Sequence, residues 1–226
     1  MKVTLTSITA NAERHCEMAA RDCYDSGDKA PEDGSPSKLI KGVTKKGHLT
    51  VIGHASATFR IEGVSRALTH QLVKHKNGVE SQRSQRYVKE GGFDYITPKS
   101  IKLDLWNSNK YKKIMVELND FYQQMITAGI PKEDARFILP NACETTINVT
   151  KSFDKWLVFL KNRMDKHAQW EIRALANEMY RQLNKEAPLI FNRDTIESYV
   201  VPVIDWDIVN SGTNDYNSKK VSIRDT

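Results

Sequence analysis

Between His54 and Lys76 the hydrophobic period of the chain changes within a few residues. Ala57, Phe59 and Ile61 alternate with Thr58, Arg60 and Glu62, the two-residue period of a strand with one buried face. After Gly63 the apolar positions Val64, Leu68 and Leu72 recur every three to four residues, the period of a helix. The chain therefore contains both sheet and helix, and the helix over residues 64–76 aims its end at a cluster of cations. On that helix Gln71 and His75 are four apart and are expected on one face, beside Leu68 and Leu72.

Helical spacing recurs elsewhere. Residues 11–24 place Cys16, Ala19, Ala20 and Cys23 on one stripe and predict a helix. The stretch DSGDKAPEDGSPS that follows has the Gly, Pro, Asp and Ser density of a surface connection, and residues 38–47 read as a second helix ended by Gly47. Residues 104–128 predict a long amphipathic helix carrying Leu105, Tyr111, Ile114, Leu118 and Met125, closed by Gly129-Ile130-Pro131. A shorter helix is expected over 132–139. Residues 152–184 read as another long helix with Trp156, Phe159, Leu160, Leu175 and Met179 in register, which would put Arg163 and His167 on a shared face. The segment YVVPVIDW suits a strand or edge extension, with Pro202 disfavouring a central position, and residues from about 210 to 226 form a polar tail expected to be loose.

The 226 residues suffice for one substantial core, so a single domain is expected. No apolar run approaches the roughly 20 residues a membrane span needs, and MKVTLTSITANAERH lacks the apolar region of a signal peptide; a cytoplasmic protein without a membrane partner is expected. Cys16, Cys23 and Cys143 are odd in number and lack metal-like spacing, which points to free thiols and no metal. The net charge of +6 suits either nucleic acid or an enzyme with phosphorylated ligands. The cations are spread along the chain, with no run of five, so nucleic acid is not the expected partner.

The chemistry concentrates in KHKNGVESQRSQRYV, residues 74–88. Phosphate recognition wants guanidinium forks, hydroxyls and backbone N–H groups, and Gln82, Arg83, Ser84, Gln85 and Arg86 supply the side-chain types. Two further arginines, Arg136 in EDARFILP and Arg163 in LKNRMDKHAQW, fall on predicted helices. Each alone reads as a surface cation.

Taken in order, GHLTVIGHASATFRIEGVSRALTHQLVKHK, ESQRSQRYV, EDARFILP and FLKNRMDKHAQWEIRALA resemble the flavin-dependent thymidylate synthases, a family unrelated to the synthase with a cysteine nucleophile. That family's signature is Arg-His-Arg, seven residues, then Ser; here Lys74-His75-Lys76 stands seven residues before Ser84. The likeness runs from about Cys23 to Ala176. It implies an α+β fold with a mainly antiparallel sheet flanked by long helices, a homotetramer with active sites built from several subunits, and bound FAD. It also implies that NADPH reduces the flavin and that methylenetetrahydrofolate supplies the carbon that turns dUMP into dTMP. All these ligands are anionic, which accounts for the basic balance.

The resemblance places Gln71, Ser84, Arg86, Arg136 and Arg163 at dUMP-binding positions, and Gln82 near both nucleotide and flavin. Cys23, His48, Thr50, Lys74, His75, Lys76 and His167 match flavin-contacting positions. Arg163 and Ser84 are the catalytic candidates: Arg163 can stabilise charge that develops on the pyrimidine, and Ser84 reads as a phosphate ligand, since an attack role would need a nearby base. Flavin provides the hydride, so the protein mainly positions and polarises.

The chain also departs from the pattern. Lys74 and Lys76 keep the charge of the signature arginines but lose the planar fork. Gly53 stands where Glu is common, Ser152 and Asp154 where Asn and Arg are usual, and Val158 at a frequently polar position. This asymmetry motivates a rival reading, a diverged deoxyuridylate-modifying enzyme that uses flavin or folate differently, for instance to transfer a hydroxymethyl group. A reading of another class is a non-catalytic nucleic-acid-binding protein that uses the KHK segment.

Overall fold

A computed structural model describes residues 1–76, 78–88 and 93–198. In chain order the elements are strand β1 (Lys2–Ile8), helices α1 (Ala12–Asp22) and α2 (Lys38–Lys45), strand β2 (Ser56–Ser65), helix α3 (Arg66–Leu72) and strand β3 (Val79–Gln82). Helices α4 (Lys99–Lys102), α5 (Leu105–Thr127) and α6 (Lys132–Ala135), strand β4 (Glu144–Ser152), and helices α7 (Phe153–Arg163), α8 (Trp170–Glu186) and α9 (Arg193–Ser198) follow. Short 3-10 turns cover Gly27–Lys29, Leu49–His54 and Arg136–Ile138.

The four strands form one antiparallel sheet in the order β1-β2-β4-β3. The expected alternation in β2 is present: Ala57, Phe59 and Ile61 are buried. They pair with Lys151, Val149 and Ile147 of β4. The register then slips between Ile61 and Val64, so that Val64 pairs with Thr145. Three steps on β2 match two on β4, the mark of a bulge, and Gly63 there takes a φ of +68°, which favours glycine. Val64 is therefore the last inward residue of a bulged strand. It is not the first turn of a helix, as its spacing predicts.

Helix α3 begins at Arg66. Ser65 caps it, its hydroxyl accepting from Leu68 N at 3.0 Å while donating to the Glu171 carboxylate of α8 at 2.5 Å. Behind the sheet, Phe59 meets Trp156 edge-on at 5.3 Å, Trp156 meets Phe159 at 5.7 Å, and Phe159 meets His75 at 5.2 Å. The indole of Trp156 donates to the Ala57 carbonyl at 3.0 Å, so this aromatic row is tied to the sheet at one end and reaches His75 at the other.

Several sequence expectations are corrected. Residues 152–184 are two helices, because Asp165 accepts the His167 amide in a turn and Gln169 caps α8 through the amides of Glu171 and Ile172. The 64–76 helix stops at Leu72, so Gln71 and His75 do not share a helical face. In α1 Cys16 and Ala20 are buried, whereas Cys23 lies past the helix end and is exposed. Helix α5 buries Met115 and Tyr122, while Leu105 and Ile114 of the expected stripe are exposed. The 132–139 helix is one α turn followed by a 3-10 turn. Strands β1, β3 and β4 come without a sequence expectation. The expectations for YVVPVIDW and the polar tail lie outside the described residues. Among the described residues no helix is long and apolar enough to cross a membrane.

Candidate functional site

Apart from His167, the expected site residues fall into three groups, and among the described residues no hydrogen bond joins one group to another. The first lies between α1, α2 and the 49–54 turn. There a cavity of about 490 Å³ is lined by Cys23, His48 and Thr50, with Arg21, Tyr24, Ser26 and Lys29 as polar neighbours and Ala20, Leu39, Val43 and Val51 as apolar wall. Arg21 is committed to structure: its Nε donates to Glu17 at 2.7 Å and its Nη1 to the Ser26 carbonyl at 3.2 Å. The remaining groups of this cavity that could hold an anion are Lys29 and His48, with the hydroxyls of Thr50 and Tyr24. A cavity with one apolar wall and few convergent donors suits a planar ring carrying an anionic arm. The Cys23 thiol bonds back to the Ala19 carbonyl at 3.4 Å.

The second group sits where the turn after α3 meets the end of α7. Arg163, the last residue of α7, donates from Nε to His75 Nε2 at 2.7 Å, and no other hydrogen bond to Arg163 is present among the described residues. Both Nη groups thus remain available at a helix C-terminus, where the helix dipole also favours a cation. Since Nε2 of His75 accepts, the ring must be neutral with its proton on Nδ1. Burial disfavours charging this imidazole, and the Arg163 and Lys151 cations add to that, bringing its pKa from the usual 6.5 down to about 4. Lys74 and Lys76 flank it and are exposed. His167 does not join this group: it lies in the α7–α8 connection, exposed, with Nδ1 2.9 Å from Asp165.

The third group surrounds the 82–88 segment. Arg86 Nε donates to Glu133 Oε2 at 2.6 Å, and Arg136 Nε donates to the Glu133 carbonyl at 3.1 Å, so one residue of α6 gathers both arginines. Ser84 Oγ accepts from the Arg86 amide at 3.2 Å. No base is bonded to that hydroxyl among the described residues. Gln82 Nε2 donates to Thr69 Oγ1 at 2.8 Å, which ties β3 to α3. Gln71 Nε2 donates within its own helix, to the Ala67 carbonyl at 3.3 Å.

Sequence reasoning missed Lys151 and Glu80. Lys151 Nζ donates to the His75 carbonyl at 2.6 Å and to Glu80 Oε1 at 2.8 Å. The available signal was a lysine in phase with Thr145, Ile147 and Val149, where every other residue of β4 faces inward. Two departures from the family pattern also turn out to face each other. A Cβ on Gly53 would lie 3.7 Å from Asp154 Oδ1, while Asp154 itself takes the Ser152 hydroxyl and pairs with Lys155 at 2.9 Å. An acidic side chain at position 53 would meet a like charge there.

The chain matches the family model described as thymidylate synthase complementing protein over residues 4–189. Among curated proteins it is similar to the flavin-dependent thymidylate synthase of Geobacter sulfurreducens, 41% identical over 198 residues, covering 84% of this chain and 85% of that protein. It is 39% identical over 215 residues to the enzyme of the same name from Clostridium tetani, covering 84% and 85%. With that of Pyrococcus furiosus it shares 40% identity over 173 residues, covering 75% of this chain and 66% of that protein. The fold and these matches define an α+β enzyme of the thymidylate-synthesis class. The chain belongs to the flavin-dependent thymidylate synthase family.

Proposed function

We propose that the protein methylates dUMP to dTMP with FAD as cofactor, methylenetetrahydrofolate as carbon donor and NADPH as reductant. The observation that carries this reading is the Arg163–His75 pair: a permanently charged fork, fixed at Nε and open at both Nη groups, on a chain of this family. C5 of uracil is a weak nucleophile, and it gains reactivity when negative charge accumulating on the ring oxygens is stabilised. Arg163 supplies that stabilisation. Cys16 and Cys143 are buried, and burial pushes the Cys16 thiol up to about 11, so neither suits a nucleophile; the exposed Cys23 falls with the flavin group.

Ser84, Arg86 and Arg136 hold the nucleotide phosphate, with Gln82 and Gln71 alongside. For Arg86 this requires the phosphate to compete with Glu133. Cys23, His48 and Thr50 hold the flavin in the first cavity, His75 with Lys74 and Lys76 borders it from the second group, and His167 reaches it from the α7–α8 connection. FAD, when bound, supplies the hydride.

The three groups meet in a homotetramer. What supports this is the surface of α5 and its surroundings, where Leu105, Trp106, Val116, Phe121 and Phe137 are exposed. Apolar exposure on that scale marks an association surface. The same reading takes the described residues as one folding unit in a cytoplasmic enzyme.

A second reading keeps dUMP but changes the use of flavin or folate, for instance to transfer a hydroxymethyl group. The observation favouring it is Asp154, a carboxylate at the start of α7 where the resemblance calls for a cation. Flavin absorbance and fluorescence titration separate the two. Saturable FAD binding together with dTMP formation supports methylation, whereas dUMP binding without FAD supports the rival. Within the first reading, Arg163→Ala lowers turnover by about 100- to 1,000-fold, the usual cost of losing one stabilising donor. The variant keeps its oligomeric state, and near-normal activity would remove Arg163 from its role.

A further inference from the structure

The proposed function gives no part to Lys151, yet its side chain is completely buried. Burying an ammonium costs several kcal/mol unless it is fully partnered. A buried ion pair is also weak stabilisation compared with apolar residues of the same volume. Stability alone therefore does not explain a lysine at an inward position of β4.

Its contacts lie on both sides of one turn. Nζ holds the His75 carbonyl at 2.6 Å before the turn and the Glu80 carboxylate at 2.8 Å after it. Between them the chain passes so close that a Cβ on Gly78 would lie 2.5 Å from Lys151 Nζ and 2.7 Å from its Cγ. Lysine and glycine are thus fitted to each other. The turn that Lys151 grips carries His75, whose ring rests edge-on against Phe159 and accepts from Arg163 Nε at 2.7 Å.

We propose that Lys151 is a positioning residue for Arg163: by clamping the backbone on either side of the turn after α3, it fixes the His75 ring and so sets the direction of the guanidinium fork. This rests on the reading of Arg163 as the group that polarises the pyrimidine. Lys151 touches no reacting atom. Its effect passes through one backbone carbonyl and one imidazole, and Glu80 keeps its charge compensated at the sheet edge.

The test uses the full chain with Lys151→Met and, as a milder change, Glu80→Gln. Two readouts are taken: steady-state kinetics with dUMP, and histidine C2 hydrogen–deuterium exchange followed by mass spectrometry, which reports each ring in the absence of activity. Lys151→Met is expected to keep its oligomeric state, to lose about 10- to 100-fold in kcat, as misplacement of a polarising group by about 1 Å does, and to leave KM for dUMP nearly unchanged. The His75 ring, no longer held edge-on against Phe159, should exchange faster than in wild type. A merely structural lysine would alter melting temperature without the kcat-only loss. Wild-type kcat together with wild-type His75 exchange in a folded Lys151→Met protein overturns the proposal. Should that variant not fold, Glu80→Gln decides: kcat and His75 exchange indistinguishable from wild type overturn the proposal, and a kcat-only loss with faster exchange supports it. If the wild type itself does not turn over dUMP, the function reading fails while the exchange of His75 still judges the clamp.

Discussion

Acid should destabilise this protein through one particular ring. Above about pH 6.5 His75 is neutral in the folded and unfolded chain alike, and its contribution does not change with pH. As pH falls from 6.5 towards about 4, the unfolded chain binds a proton that the folded ring refuses. Stability therefore declines across this window and levels below it. At 1.36 kcal/mol per pH unit the effect would reach about 2 kcal/mol near pH 5, and solvent screening of a half-buried ring lowers this to about 1 kcal/mol. The groups facing the ring are Arg163 from α7 and Lys151 from β4, and Glu80 accepts from Lys151. Replacing His75 by Gln keeps an acceptor for Arg163 Nε and removes the titration. Urea unfolding of wild type and His75→Gln, at equal protein concentration near pH 7 and near pH 5, isolates the term from all other titrating groups. Wild type should lose about 1 kcal/mol more than the variant on acidification. Equal losses would show that the imidazole is not held neutral by its surroundings, and the Arg163–His75 geometry would fall with it.

Two further outcomes follow from specific contacts. Gly78→Ala would drive a Cβ to within 2.8 Å of the Thr150 carbonyl as well as into Lys151, so it should cost about 1–3 kcal/mol, seen as a lowered melting temperature; an unshifted transition would contradict that packing. Arg86 is engaged by Glu133 at 2.6 Å, an exposed pair worth about 1 kcal/mol or less. Glu133→Gln should therefore tighten dUMP binding by up to about fivefold in isothermal titration, and weaker binding would show that Glu133 assists the nucleotide.

The elements most legible in the sequence were those with one clean period. β2 and α5 appear where their spacing puts them, and the long helices are present although one is broken. What the sequence concealed were features set by single residues or by topology. The bulge before Val64 imitates the first step of a helical stripe, because inserting one residue turns a spacing of two into three. β4 alternates Thr145, Ile147 and Val149, but threonines dilute its apolar signal, and β3 is four mostly polar residues that only a neighbouring strand can stabilise. The break between α7 and α8 depends on Asp165 and Gln169 using their side chains on nearby amides, which spacing arguments ignore. In α5 the apolar residues do not all face the core of this chain; Leu105 and Ile114 are exposed, and an interface stripe has the same period as a core stripe. Arg163 could be read as a helix-borne cation. Its partner could not, since only the fold brings the turn after α3 beside the end of α7.

The most direct test of the central claim is release of tritium from dUMP labelled at C5, measured with FAD, NADPH and methylenetetrahydrofolate all present and with each omitted in turn. Release accompanied by dTMP, abolished when FAD is left out and lost in Arg163→Ala, is the expected result. Release that proceeds without FAD, or that survives Arg163→Ala, would contradict it.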